Sequence, residues 1–206
     1  MIDNQHIYDS LSVADLTNLL IDPEQRLEVH RAVLSSISRL ISSSVRTAQL
    51  LKALREMASK PQRYNQEVMM GVVDILATDP NPEATSAMLQ VLPAMLGLGG
   101  SEDLVDDELR QYFCEALMTR RREDDLAVWH EVVPKLSGAV WVAILTDPAA
   151  SALKPLKPLK MIERLPEPRR RKALQMLFSR ALGDGNLKLA WTAAKMLLFG
   201  SRSSTQ

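Results

Sequence analysis

The sequence predicts an all-α fold, an irregular stack of about ten antiparallel helices built either as a helical-hairpin array or as a bundle. Three observations carry that expectation. Apolar residues recur at three- and four-residue spacing through most of the chain, and no stretch alternates as a half-buried strand does. Leu, Ala, Met and the long polar residues that favour helices dominate, while aromatics make up only 4% and Met occurs ten times. Asp-Pro junctions at Asp22-Pro23, Asp79-Pro80 and Asp147-Pro148 each separate one aliphatic run from the next. Asp accepts from the free N–H groups of a helix start, and Pro has no N–H to leave unpaired there. Each junction therefore reads as a corner at which a new helix begins. The Asp-to-Asp spacings differ, so a true repeat is not established. Short connections and the lack of a long heptad seam favour the stack over the bundle.

The elements follow in order. Ser12 with Asp15 forms a capping-box variant before a short helix through Leu16, Leu19 and Leu20. Pro23 opens the next, with Leu27, Leu34, Ile37 and Ile41 on one face, broken at Ser42-Ser43-Ser44. Val45 to Ala58 turns Leu50, Leu54 and Met57 inward, and Pro61 ends it. Gln62 to Thr78 turns Val68, Val72 and Leu76 inward, with Gly71 marking a close helix contact. After Asp79-Pro80 come Ala84, Met88, Val91 and Met95, with Pro93 kinking or ending that helix.

Leu96-Gly97-Leu98-Gly99-Gly100 is the clearest loop and divides the chain into expected halves, 1–96 and 97–200. Ser101 caps the following helix, with Glu102 and Asp103 on its positive end and Val105, Leu109, Tyr112, Phe113 and Ala116 inward. A turn at Thr119 to Arg122 leads to Glu123–Val133, which uses Leu126, Trp129 and Val133. Ser137 to Leu145 is almost wholly apolar and reads as buried. Leu153 to Lys160 repeats Leu-Lys-Pro every three residues, the polyproline II period. Pro168 begins a helix with Leu174, Leu177, Phe178 and Ala181 inward. Gly183-Asp184-Gly185-Asn186 is a turn, and Leu187 to Phe199 is expected to turn Leu187, Trp191, Ala194 and Leu198 inward. Residues 201–206 read as a disordered polar tail.

Charge is the strongest functional hint. The net charge of zero splits into +9 from Ser151 onward, with twelve Lys and Arg against three acids, and −9 before it, with thirteen against twenty-two. The start at Met1 has neither a basic nor an apolar leader pattern, and the longest apolar run, Ala139 to Leu145, is far too short to span a membrane. The single Cys114 excludes an internal disulfide. A cytoplasmic protein without a membrane span is expected.

No catalytic, cofactor or metal motif is present. His6, His30 and His130 are scattered, and Trp129-His130-Glu131 points in three directions on one helix. Cys114, beside Phe113 on an apolar face, reads as a small core residue. The glycine-rich loop lacks the Lys-Ser/Thr of a phosphate loop. Asp103, Asp106, Asp107, Glu108, Glu123, Asp124 and Asp125 make the middle acidic, as a solvated helix start or as a surface for a basic partner.

The candidate partner-binding residues are Lys154, Lys157 and Lys160 in the Pro-rich stretch and Arg169, Arg170, Arg171 and Lys172 at the following helix start. Pro155 to Lys160 has the P-x-x-P-basic form that aromatic grooves bind, although a rigid linker has the same composition. Four cations at a helix N-terminus oppose its dipole, which invites a ligand that neutralises them. The expected function is a non-enzymatic protein–protein interaction module, an adaptor or assembly component, whose partner is an acidic surface or another copy of the chain. The alternative is a nucleic-acid-associated protein using the basic segment. A third reading, an enzyme with a site assembled from dispersed residues, leaves no motif to find.

Overall fold

A computed structural model of the chain describes residues 5–40, 42–98 and 105–199. The regular elements among the described residues are all helical, in agreement with the all-α expectation. The Ser101 cap with Glu102 and Asp103, residues Gly99 and Gly100 of the loop, Ile41 and the tail at 201–206 lie outside the described residues. The chain divides into two compact units, Met1–Val133 and Pro134–Gln206, and the glycine-rich stretch falls within the first.

The first unit contains α1 (Gln5–Asp9), α2 (Val13–Leu20), α3 (Leu27–Ser38), α4 (Ser43–Ser59), α5 (Gln66–Thr78), α6 (Pro82–Met95), α7 (Asp107–Thr119) and α8 (Leu126–Val132). Packing alternates along it. α3 lies on α5 and α5 on α7, while α2 lies on α4, α4 on α6 and α6 on α8. Successive helices α2–α3, α4–α5, α5–α6 and α6–α7 also touch, so odd and even helices form two layers. Between them Leu20, Val33, Leu54, Met57, Val72, Leu76, Met88, Leu92 and Phe113 are buried. Apolar residues at helical spacing turn toward the facing layer because burial removes their surface from water. At Gly71 an added Cβ would lie 2.7 Å from Leu34 Cδ1, which is the close contact that glycine permits.

Short polar residues start the helices. Ser12, Asn65, Asn81, Asp106 and Ser137 accept from the backbone N–H two or three residues on. The Asp-Pro corners behave differently from the expectation. Asp22, Asp79 and Asp147 do share one bond, each accepting through Oδ1 from the N–H two residues on, at 3.0, 2.9 and 2.9 Å. Only Asp147 directly caps a helical segment. α3 begins four residues past Pro23, and the cap of α6 is Asn81 with Pro82 at its first position. Asp79 instead follows the last residue of α5 as its C-cap, its N–H donating to the Ile75 carbonyl, and its carboxylate is buried.

The second unit contains α9 (Gly138–Thr146), a 3-10 segment (Pro148–Leu156), α10 (Pro158–Glu163), α11 (Arg169–Gly183) and α12 (Leu187–Phe199). α9 is its centre. Val140, Trp141, Val142, Ala143 and Ile144 are buried, and the 3-10 segment, α10 and α11 all pack on it. A Cβ on Gly138 would lie 2.7 Å from the Ala173 Cβ, so glycine lets α9 and α11 meet closely. The polyproline II expectation for Leu153 to Lys160 is overturned. Those residues form the end of the 3-10 segment and the start of α10, joined by Lys157 in the left-handed conformation at φ 57°. Burial of Leu153, Pro158 and Ile162 outweighs the preference of isolated Leu-Lys-Pro triplets for an open helix.

α12 packs on α11 through Ala190 and Ala193, both buried. The face expected to point inward points outward: Leu187 is 70%, Trp191 62% and Leu198 68% exposed. Leu126 of α8, also expected inward, is at the surface.

Candidate docking surface

The α11–α12 hairpin brings together the two features that distinguish this chain. One is charge. Arg169, Arg170, Arg171, Lys172, Arg180, Lys188 and Lys195 face a single acid, Asp184, in the intervening turn. The other is the outward apolar stripe. Leu187, Trp191, Ala194 and Leu198 follow at spacings of four, three and four, one strip of a helix surface. Phe199, 62% exposed, stands at its end, and Leu182 and Met176 add exposed apolar surface on α11. Lys188 and Lys195 flank the stripe, and the Lys195 ammonium sits 5.4 Å from the Trp191 ring centroid, within cation–π range.

The expected partner-binding residues divide by environment. Lys154, Lys157, Lys160, Arg169, Arg171 and Lys172 are exposed. Arg170 is not freely available, because its guanidinium pairs with Glu167 at 2.6 Å and its side chain is only 19% exposed. That pair places an acid just ahead of α11 and offsets the dipole penalty of four consecutive cations. Arg170 and Arg171 share a concavity of about 300 Å³ with Glu167, Leu174, Met196 and Leu197, so the start of α11 lies beside the later turns of α12.

In the first unit the polar groups hold the fold. Arg46 donates through Nε and Nη2 to Asp79 Oδ2 at 2.8 and 2.7 Å, and through Nη1 to the Leu40 carbonyl at 2.8 Å. Arg120, 1% exposed, donates to Thr85 Oγ1, the Asp79 and Asn81 carbonyls and Asp125 Oδ1. Burial lowers its pKa, and Asp125 is the first of the charges that oppose that shift. Trp129 Nε1 donates to the Arg120 carbonyl at 3.2 Å. The buried His30 donates through Nε2 to the Asp22 carbonyl at 3.1 Å, and Cys114 is buried. His130, Asp106, Asp107, Glu108 and Asp124 are exposed. An open groove of about 430 Å³ runs over α3, α5 and α7, floored by Leu27, Leu34, Val68 and Met70. At its rim Arg31 pairs with Glu67 at 2.7 Å, and Tyr112 donates to Asp74. Arg31 holds the Glu67 carboxyl below the usual range, and Asp74 pushes the Tyr112 phenol up to about 12. Those rim groups satisfy one another.

No helix among the described residues is long and apolar enough to cross a membrane, and no cluster of three or more His, Cys, Asp or Glu among them could hold a metal ion. Comparison with family models, curated proteins and solved structures finds no match to this chain.

Sequence reasoning found the stripe residues but placed them on the wrong side. The signal that corrects this is the other face of α12. Leu189, Met196 and Leu197 make the helix apolar nearly all round, more than one neighbouring helix can cover.

Proposed function

We propose that this chain is a non-enzymatic helical protein–protein interaction module, an adaptor or assembly component of a larger complex, that docks through the outward face of α12. The carrying observation is the exposed Leu187–Trp191–Leu198 stripe. Contiguous exposed apolar surface of this kind, rimmed by charge, marks interaction sites, and Trp is among the residues that contribute most at interface centres. The buried titratable groups Asp79, Arg120 and Asp125 support this reading, since their hydrogen bonds are spent within the fold. A cytoplasmic setting belongs to the same proposal and is supported by the lone, buried Cys114.

The test is affinity capture from cells producing the whole chain. Wild type is compared with Trp191→Asp/Leu198→Asp and with Ile7→Asp, a control at another exposed apolar residue, and circular dichroism checks that each variant folds. A defined set of proteins lost only with the double variant is expected. Capture indifferent to the double variant defeats the proposal. The nucleic-acid reading is favoured by one observation, seven cations against one acid over residues 169–199. Binding of labelled DNA or RNA that survives Trp191→Asp/Leu198→Asp but vanishes on reversal of Arg169, Arg171 and Lys172 would promote it.

A further inference from the structure

Resting on α12 as a docking face, we propose that its partner is an acidic amphipathic helix of another protein. That helix lies along the Leu187–Trp191–Ala194–Leu198 seam with Asp or Glu opposite Lys188 and Lys195.

The spacing of the seam is that of a heptad, with Leu187 and Ala194 at d and Trp191 and Leu198 at a. A helix, and not a flat or fluid surface, is the matching occupant. Trp191 and Leu198 stand out on either side of the small Ala194, which leaves a notch where a partner's Leu can seat as a knob in a hole. The seam spans about 16 Å, so three turns of a partner helix cover it. Along the g edge of the seam α12 is already occupied, because Ala190 at g and Ala193 at c are buried against α11, which leaves the e edge open. Only one long face is left to fill.

Charge decides the partner's chemistry. Lys188 and Lys195 are seven residues apart and both fall at e, the position from which coiled-coil helices choose partners by ion pairing. Lys195 packs over Trp191 and so is held beside the seam. α11 and α12 contain no acid to answer these lysines. A second copy is a poor occupant for the same reason. Antiparallel pairing of two α12 helices sets e against e, lysine against lysine, and like charges at that distance repel.

The protein carries its own reporter. Of its three tryptophans, Trp129 and Trp141 are 4% and 0% exposed, so a shift in emission on docking comes from Trp191. The full chain is titrated with a synthetic three-heptad peptide bearing Leu at a and d and Glu at e and g. The same peptide with Lys at e and g is the comparison. Phosphatidylcholine vesicles containing about one-third phosphatidylserine test the lipid alternative. The expected result is a saturable blue shift with the Glu peptide, at least about tenfold tighter than with the Lys peptide and weakened by salt. In the variant Lys188→Glu/Lys195→Glu the preference should invert, and in Trp191→Phe the shift should vanish. Equal binding of both peptides, or no shift with either, overturns the acidic-helix assignment. So does a shift with vesicles alone, or concentration-dependent self-association that buries Trp191. If the peptides fail while Trp191→Asp/Leu198→Asp still releases a captured protein, the docking face stands and only its partner's chemistry is wrong. If both fail, the face itself is wrong.

Discussion

Arg120 and Trp191 show how differently the two units treat the residues that cost most to place. In Met1–Val133 the charges that folding buries are answered inside the unit, Asp79 by Arg46 and Arg120 by Asp125 and two backbone carbonyls. All of the buried polar and charged side chains among the described residues belong to that unit. In Pro134–Gln206 the pattern reverses. Six of the nine large apolar residues exposed among the described residues fall between Met176 and Phe199. The charge split follows the same division. The second unit carries thirteen Lys and Arg against four acids, net +9, and the first twelve against twenty-one, net −9. A unit that spends its polar groups on itself specifies its own packing, whereas one that leaves cations and an apolar stripe in water carries groups that a partner can satisfy.

The largest expected effect comes from breaking the first unit's buried network. Arg120→Ala leaves Asp125 buried without its cation and leaves the Asp79 and Asn81 carbonyls short of donors. Removing one member of such a pair costs about 3–5 kcal/mol. Urea denaturation should therefore show a loss of that size, and a loss under about 1 kcal/mol would mean that the network does not hold the unit.

The Asp-Pro corners allow a finer comparison. Asp22, Asp79 and Asp147 accept the same local N–H, and the buried Asp79 carboxylate also answers the half-buried Arg46. Asp79→Ala should cost about 3 kcal/mol by denaturant midpoint because Arg46 loses its carboxylate. Asp22→Ala, which removes a carboxylate that accepts from the Glu24 N–H and the Gln25 amide, should move the midpoint far less. Equal losses at Asp22 and Asp79 would show that the turn, and not the ion pair, dominates at Asp79.

These corners also show what the sequence can and cannot reveal. Helical period, the buried α9 and the close contact at Gly71 are local or compositional signals, and they were readable. That Asp-Pro makes a turn was readable too, since Asp, Pro and the N–H two residues on are neighbours in the chain. That Asp79 meets Arg46, thirty-three residues earlier, depends on α4 lying beside the α5–α6 corner, and no spacing rule encodes it. The Leu-Lys-Pro triplets misled because the polyproline period describes an isolated chain, while Leu153, Pro158 and Ile162 are drawn into the core around α9. The candidate site was half legible. Its cations and its stripe residues stood out, but periodicity identifies a strip without saying whether a neighbour covers it. α12 has an alanine face narrow enough to sit close to α11, and that settles the direction.

That direction has its own stability signature. Were Trp191 and Leu198 core residues, truncation to Ala would cost about 2–5 kcal/mol each. At their observed exposure, Trp191→Ala and Leu198→Ala should leave the denaturation midpoint of the isolated protein within about 0.5 kcal/mol of wild type. Trp141→Ala, at the centre of α9 and 0% exposed, should cost about 3–5 kcal/mol and serves as the buried control. A large loss at Trp191 would mean that the stripe is covered within the molecule.

The smallest effect sharpens the other half of the comparison, the pairing of polar groups even at the surface of the first unit. Tyr112 on α7 donates its hydroxyl to Asp74 on α5 across the groove rim. Ionising the phenol would remove the proton from that bond and set a phenolate beside a carboxylate. Hydrogen bonding to Asp74 first, and then burial, accordingly raise the Tyr112 pKa to about 12, against about 10 for a free tyrosine. The raised value fixes the sign. A proton held more tightly in the folded state adds stability that is fully present below about pH 10 and is lost as pH rises toward about 12. Absorbance at the phenolate band should show one of the three tyrosines titrating near pH 12. In Asp74→Asn that transition should move down toward the value of a free tyrosine, and the loss of stability between about pH 10 and about pH 12 should shrink with it. A Tyr112 titration near 10 in the wild type would show the bond open in solution, and the rim would then join the α12 stripe as surface still waiting for a partner.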